Sequence, residues 1–267
     1  MLKKRLIFTL LVNGDQFVLS RNFRLQNVGS IDWLRNNYDF SLIANAIDEL
    51  IVLDVTRGER NAKEFLNVLN MVTKNCFVPI SAGGGVGTIQ MARQLLRSGS
   101  DKIVVNTSIF SNPLFLNEVA LEFGEQSIVA SVDIKGSSTT GYEVVVNNGT
   151  ELVRVSARES LLQISELPVG EIYLNSLDRD GTGMGLDLNI LELLPITNRK
   201  PIILSGGAGN ATHLLEGLSN EKVDAVSTAN LFNFVGDGLE RARNHLLLNG
   251  LDLSTWMPTS QLRNHSQ

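Results

Sequence analysis

Cysteine is almost missing from this 267-residue chain, with Cys76 standing alone. No intrachain disulfide can form, and its place at the start of the apolar run "NCFVPI" marks a buried thiol and a reducing, cytoplasmic setting. Also missing is any apolar run near the roughly 20 residues that a membrane span needs. The first residues, "MLKKRLIFTLLV", resemble a signal peptide in their basic start, but Asn13, Gly14 and Asp15 follow and no small-residue cleavage site does. They read as a first β-strand. Charge of one sign is scarce as well: 23 Lys and Arg against 28 Asp and Glu give a net charge of −5 without blocks. A nucleic-acid or anionic-membrane partner needs clustered cations, so neither is expected, whereas small acidic ligands remain open through local sites. His213, His245 and His265 have no metal-ligand spacing, and no metal or cofactor is expected.

What is present is a large apolar fraction, 43% of residues, enough for one sizeable core. One domain over residues 1–252 is expected, with 253–267 as a mobile tail. Short β-rich runs at 5–12, 48–54, 77–82, 102–106, 127–133, 171–176, 201–205 and 223–228 alternate with helix-like stretches. One of these, "TIQMARQLLRSG", has a Thr88 cap, apolar Ile89, Ala92, Leu95 and Leu96, and a stop at Gly99. Eight alternating units predict a closed parallel α/β barrel, with a doubly wound open sheet as the alternative.

Internal repetition favours the barrel. "PISAGGGVG" from Pro79 and "PIILSGGAG" from Pro201 are 122 residues apart, as are Glu49 of "ELIVLD" and Glu171 of "EIYLNS". "RLIFTLLVNG" and "SIVASVDIKG" share that register and align Leu11 with Asp133. Three strand pairs at one spacing imply two four-strand halves, and half a barrel cannot close alone. The fold expected is a single (βα)8 TIM barrel built from two duplicated (βα)4 halves.

Barrel sites lie where strands end. "AGGGVG" (Gly83, Gly84, Gly85) and "SGGAG" (Gly206, Gly207, Gly209) each end a strand, and glycine lets backbone N–H groups approach an anion closely. The next strands end in Asn106, Thr107 and Ser108, and in Thr228, Ala229 and Asn230. Two such cradles, related by the repeat, suit a ligand with a phosphate at each end. The stretch "NSLDRDGTGMGLD" puts Asp180, Gly181 and Thr182 beside the second cradle; its bland reading is a solvated turn.

"DKIVVNTS", "FGEQSIVASVDIK", "DRDGTG" and "SGGAG", in this order over nearly the whole chain, resemble the HisF family, the cyclase subunit of imidazole glycerol phosphate synthase. The resemblance implies a doubled barrel that takes ammonia from a HisH-like glutaminase partner and acts on a small phosphorylated ligand. It implies that Gly84, Gly85, Asn106 and Thr107 bind one phosphate, and that Asp180, Gly181, Thr182, Gly206, Gly207, Ala229 and Asn230 line the other. Family chemistry is assigned to two aspartates acting as acid and base. Asp133 matches one; Leu11 stands at the other, and Leu19 where the family's first loop supplies a lysine. Asp15 lies beyond the strand end.

Arg5, Glu49, Lys102 and Glu171 each begin a strand, so they should meet as a charge ring at the opposite end of the barrel. Their bland reading is paired charges that close the core. In the family such a ring gates ammonia entry, and Asp101 matches a residue of the glutaminase interface. A kept entrance with an incomplete catalytic end implies a divergent paralogue of the surface-polysaccharide (lipopolysaccharide) type. There the barrel and its glutaminase supply ammonia to a third enzyme that amidinates a sugar. A working cyclase of histidine biosynthesis and a non-catalytic phosphosugar-binding barrel are the alternatives.

Overall fold

All eight expected runs form parallel strands, and the computed structural model adds four that pattern did not announce. It describes residues 3–254 apart from 31, 34, 35, 37–39, 75 and 230–236. In chain order the first half holds β1 (Arg5–Asn13), β2 (Gln16–Arg21), β3 (Arg24–Ser30), β4 (Glu49–Asp54), β5 (Ile80–Gly83) and β6 (Lys102–Val105). The second holds β7 (Ile128–Ser137), β8 (Gly141–Val146), β9 (Glu151–Leu152), β10 (Glu171–Ser176), β11 (Ile202–Ser205) and β12 (Ala225–Thr228). Parallel pairing runs β1-β4-β5-β6-β7-β10-β11-β12 and returns from β12 to β1, which closes a (βα)8 barrel.

Helices α1 (Phe40–Ala46), α2 (Ala62–Thr73), α3 (Ile89–Arg97), α4 (Thr107–Ser111) and α5 (Leu114–Phe123) belong to the first half. In the second, α6 (Ala157–Ser165), α7 (Ala211–Ser219) and α8 (Gly238–Leu248) are joined by a 3-10 turn, Leu188–Leu193, between β10 and β11. The stretch read as capped is helical as expected: Thr88 accepts from the Met91 N–H, and Gly99 sits at φ +99°. Cys76 is buried. Among the described residues no helix is long and apolar enough to cross a membrane.

Strand alternation builds two cores. Leu6, Phe8 and Leu10 of β1 pack outward with helix residues such as Phe65, Leu69 and Leu95. Ile7, Ile51, Val104, Val129 and Ile203 meet inside the barrel as a second cluster. Strand starts are pinned by a recurring device. Asp48, Asp101 and Asp224, each preceding a strand, accept the N–H of Leu6, Ile80 and Ile202 on the neighbouring strand at 2.8 Å. Arg243 of α8 holds Asp48 with both guanidinium nitrogens.

The four additional strands form two hairpins, β2–β3 after β1 and β8–β9 after β7. The segment around Leu19, which the resemblance matches to the family's first loop, is therefore part of a β-hairpin over residues 16–30. At the other end of the chain Leu253 is buried and Lys4 donates its N–H to the Asp252 carbonyl. Residues 255–267, on which the tail expectation rests, lie outside the described residues.

Candidate active site at the barrel mouth

Side chains inside the barrel form layers. At the strand starts, Arg5 donates to Glu49 at 3.0 Å and to Glu171 at 2.7 and 3.1 Å. Lys102 reaches the same two carboxylates at 3.0 and 2.6 Å. Each cation bridges both anions, so the four expected residues do meet in a ring. Burial raises the Glu171 pKa, but the hydrogen bonds and charges of Arg5 and Lys102 outweigh it and leave the carboxyl below its usual range. Above the ring lies the apolar cluster, then a layer of hydroxyls in which Thr9 pairs with Ser227 at 2.6 Å and Tyr173 donates to Ser205 at 2.9 Å.

Where the strands end, the two halves differ. Leu11 is in register with Leu53 of the adjoining strand, and Asp133 with Asn175. The C-terminal pair is hydrogen-bonded: Asn175 donates to one Asp133 oxygen at 2.9 Å and Asn106 to the other at 2.8 Å. Burial dominates even so and pushes the Asp133 pKa up from 3.8 to about 6, with the Asp180 charge adding to the rise. A carboxyl with that pKa exchanges a proton near neutral pH, as general acid–base work requires. Leu11, 9% exposed, supplies no second such group, and Asp15 is turned out to solvent beside Gln16.

The two glycine cradles repeat in atomic detail. A Cβ on Gly84 would lie 2.3 Å from the Asp54 carbonyl oxygen, and one on Gly206 2.5 Å from that of Ser176, with φ at +117° and +95°. Only glycine fits either place. Gly84, Gly85, Asn106, Thr107 and Ser108 line a cavity of about 380 Å³ that also contains Asp133. Gly181, Gly206, Gly207 and Ala229 line a separate one of about 70 Å³. Asn230 lies outside the described residues. Thr182 lines neither; its hydroxyl donates to the Arg179 carbonyl at 2.7 Å.

Between the cavities lies the tip of the β2–β3 hairpin. Ser20 donates to the Asp180 carboxylate, the Phe23 N–H reaches the same oxygen, and Asn22 donates to the Leu177 and Asp178 carbonyls. Burial under this tip raises the Asp180 pKa. Arg57 ties the tip from the other side by donating to the Phe23 carbonyl. Asn22 and Phe23 hold φ of +50° and +61°, a two-residue turn of the kind that suits hairpin twist. Leu19, at the expected lysine position, lines the smaller cavity.

Sequence reading missed Arg57, Arg60, Asn147 and Asn148, all of which line the larger cavity. Arg57 and Arg60 were discoverable, because they follow β4 at the catalytic end, but "TRGERNAKE" resembles any solvated charged loop. Asn147 and Asn148 reach the mouth only because β8–β9 folds over it, where the Asn147 N–H donates to Thr107. At the ring end, Asp101 is surface-exposed and its carboxylate is committed to the Ile80 N–H. Among the described residues no three His, Cys, Asp or Glu side chains gather as metal ligands.

Comparison with known sequences agrees with this layout. A family model described as "Histidine biosynthesis protein" matches residues 38–236. Imidazole glycerol phosphate synthase subunits HisF of Chlorobium chlorochromatii and Chlorobium limicola are each 34% identical over 252 residues, 94% of this chain and 98% of theirs. The chain belongs to the HisF family. A relative from Parasynechococcus marenigrum, provisionally named imidazole glycerol phosphate synthase subunit hisF2, is 44% identical over 91% of this chain and 90% of its own. The doubled halves are thus set in a HisF-family barrel, and its mouth carries the leucine pair Leu11 and Leu53.

Proposed function

We propose that this HisF-family barrel is the ammonia-using subunit of a glutamine-dependent synthase complex, and that its reaction is other than standard imidazole formation. A HisH-like glutaminase docks at the ring end, near Asp101. Ammonia passes the ring of Arg5, Glu49, Lys102 and Glu171 and crosses the apolar layer, which a neutral molecule does at far lower cost than ammonium. It meets a phosphorylated ligand at the mouth, where Asp133 handles the proton. In the divergent form of this reading, the ammonia serves a third enzyme that amidinates a surface-polysaccharide sugar. The first cradle (Gly84, Gly85, Asn106, Thr107) holds the ligand's phosphate, and the second (Asp180, Gly181, Thr182, Gly206, Gly207, Ala229, Asn230) is the position the repeat pairs with it.

The observation that carries this reading is the contrast between the barrel's ends: a complete charge ring at one, and Leu11 in place of a carboxylate at the other. Losing one of two acid–base groups costs on the order of 10²–10⁴ in rate, which disfavours the ordinary cyclisation. The test is to purify the chain with its genomic neighbours and compare glutamate released with amidated product formed, using glutamine and then high external ammonium. Lys102→Ala should fold and bind its glutaminase while the two yields drift apart. Unchanged coupling in a folded variant returns the ring to closing the core, and a partner whose glutaminase is not stimulated at all leaves a non-catalytic binding barrel.

A working cyclase of histidine biosynthesis is the second reading, favoured by Asp133 with its pKa of about 6 and by the names of the relatives. Growth of a histidine auxotroph lacking its own cyclase subunit, with this chain as sole replacement, would establish it. Failure to grow at good expression would remove it.

A further inference from the structure

The two cradles are built alike in backbone and unlike in charge. Adding 122 to each residue number converts Gly84 into Gly206 and Asp54 into Ser176, and the same shift converts Arg60 into Thr182. Arg60 therefore has no cation at its own register, while the shift does pair Arg57 with Arg179, whose guanidinium donates to the Met184 carbonyl at 3.2 Å. Its side chain lies across the first cradle: a Cβ on Gly85 would touch Arg60 Cδ at 3.1 Å and Nη1 at 3.2 Å. On the other edge, Arg60 Nε stands 3.6 Å from the Asp54 carboxylate, fully enclosed and without a hydrogen-bond partner. An enclosed N–H without a hydrogen bond in a native fold calls for an explanation; Asp54 balances the charge from one side, and the guanidinium edge over the glycine turn is free to receive an anion from the other. Arg57, by contrast, is already bonded to the Phe23 carbonyl.

The second cradle offers an anion much less. Among the described residues no Lys or Arg lines its cavity of about 70 Å³, whereas Arg57 and Arg60 both line the larger one; Asp180 borders the two alike. The hairpin tip, bonded to Asp180, stands between the cavities. Next to the charged cradle, Leu11, Leu53, Phe23 and Leu25 give the larger cavity an apolar wall.

We propose that the larger cavity is a one-ended anion site: the first cradle and Arg60 hold a phosphomonoester whose adjacent body is apolar or planar and rests on Leu11 and Leu53. This rests on reading the first cradle as a phosphate site and gives that ligand its class. A bisphosphate gains little from its second phosphate here, because no Lys or Arg lines the other cavity and the nearby Arg179 is already committed to the Met184 carbonyl. Arg60 is the positioning cation, and Leu11 becomes part of the binding surface.

The test is calorimetric titration of the whole chain at low ionic strength with inorganic phosphate, phenyl phosphate, fructose 6-phosphate and fructose 1,6-bisphosphate. One phosphate should bind per chain. Phenyl phosphate should bind about tenfold tighter than inorganic phosphate through apolar burial, and the bisphosphate no tighter than a sugar monophosphate. Arg60→Ala should weaken all of them at least about tenfold, Arg60→Lys should recover part of that loss, and Leu11→Asn should remove the phenyl advantage alone. Melting curves of the three variants report folding. Two equal phosphate sites, a bisphosphate advantage, or a folded Arg60→Ala with unchanged affinity each overturn the proposal. No phosphate binding by the parent chain overturns the cradle reading along with it. Ammonia coupling in the glutaminase assay is read independently of every one of these outcomes.

Discussion

Leu11 beside Leu53 and Asp133 beside Asn175 are the same pair of barrel positions, one in each half, on strands with the same parallel register. The first pair is apolar. The second is a buried carboxylate held by two amides. Backbone geometry tolerates either set, because a parallel ladder uses only main-chain groups and leaves strand-end side chains free to vary. Duplication thus explains the architecture and not the chemistry, which resides in what each half places at its strand ends. A second contrast sets the mouth against the ring. Glu171 is as sheltered as many core residues, yet two cations hold its pKa down, whereas Asp133 has only neutral donors and rises to about 6. Burial raises both; it prevails at Asp133, whose donors are neutral, and is outweighed at Glu171, whose donors are cations.

The strongest way to break the second contrast is to unpair the ring. Glu49 is buried and receives bonds from Arg5, Lys102 and Ser81. Glu49→Ala leaves two cations sharing one anion, and we expect a stability loss of about 3–5 kcal/mol in denaturant unfolding. A loss below about 1 kcal/mol would mean the ring is solvated and its pairing weak.

Next in size is the pH dependence at Asp133. Its folded-state pKa is raised from 3.8 to about 6, so the native state holds its proton where the unfolded chain has released it. Stability from this group is therefore fullest below about pH 4 and falls as pH climbs to about 6, by about 3 kcal/mol in total at 1.36 kcal/mol per unit. Asp133→Asn should flatten that decline, and a carbon-13 titration of the Asp133 carboxyl should place its midpoint near 6. A midpoint near 4 would erase the difference between mouth and ring.

Leu11→Asp makes the two halves alike. It should cost about 2 kcal/mol for a carboxylate in an apolar setting and push the Asp133 midpoint still higher through like charge. We expect no efficient cyclisation, since Leu19 and the hairpin tip also depart from the family's first loop and misplacement of about 1 Å costs roughly 10²-fold. Turnover typical of the family in this single variant would make Leu11 the whole difference.

The smallest effect separates scaffold from docking surface. Asp101→Ala removes one acceptor for the Ile80 N–H and should cost about 1 kcal/mol. Glutaminase affinity measured on the same variant decides whether this exposed carboxylate serves the partner as well as the strand. An unaltered affinity leaves it as one of three matching strand clasps.

Much of this was legible before any coordinates. Parallel strands are buried on both faces, so they read as continuous apolar runs, and all eight were placed to within a few residues. Both hairpins were overlooked although turn signals stand beside them, Asn13-Gly14 where β1 turns into β2 and Asn148-Gly149 between β8 and β9, because a barrel reading assigns residues after a strand to loops. Ring membership followed from position at strand starts. Cradle glycines followed from position at strand ends. Arg60 did not stand out, since nothing in "TRGERNAKE" separates an arginine that folds back over a glycine turn from one that points to solvent.

The amino-acid sequence by itself determined the doubled barrel, the charge ring, both glycine cradles and the exchange of a carboxylate for Leu11, because periodicity and a fixed spacing of 122 residues are properties of one dimension. Tertiary structure alone decided that the β2–β3 tip is tied to Asp180, that Asn106 and Asn175 clasp Asp133, and that Arg60 lies over the first cradle. These are meetings of side chains from distant strands. Their geometry depends on how the closed sheet brings strand ends together, and no local pattern records it.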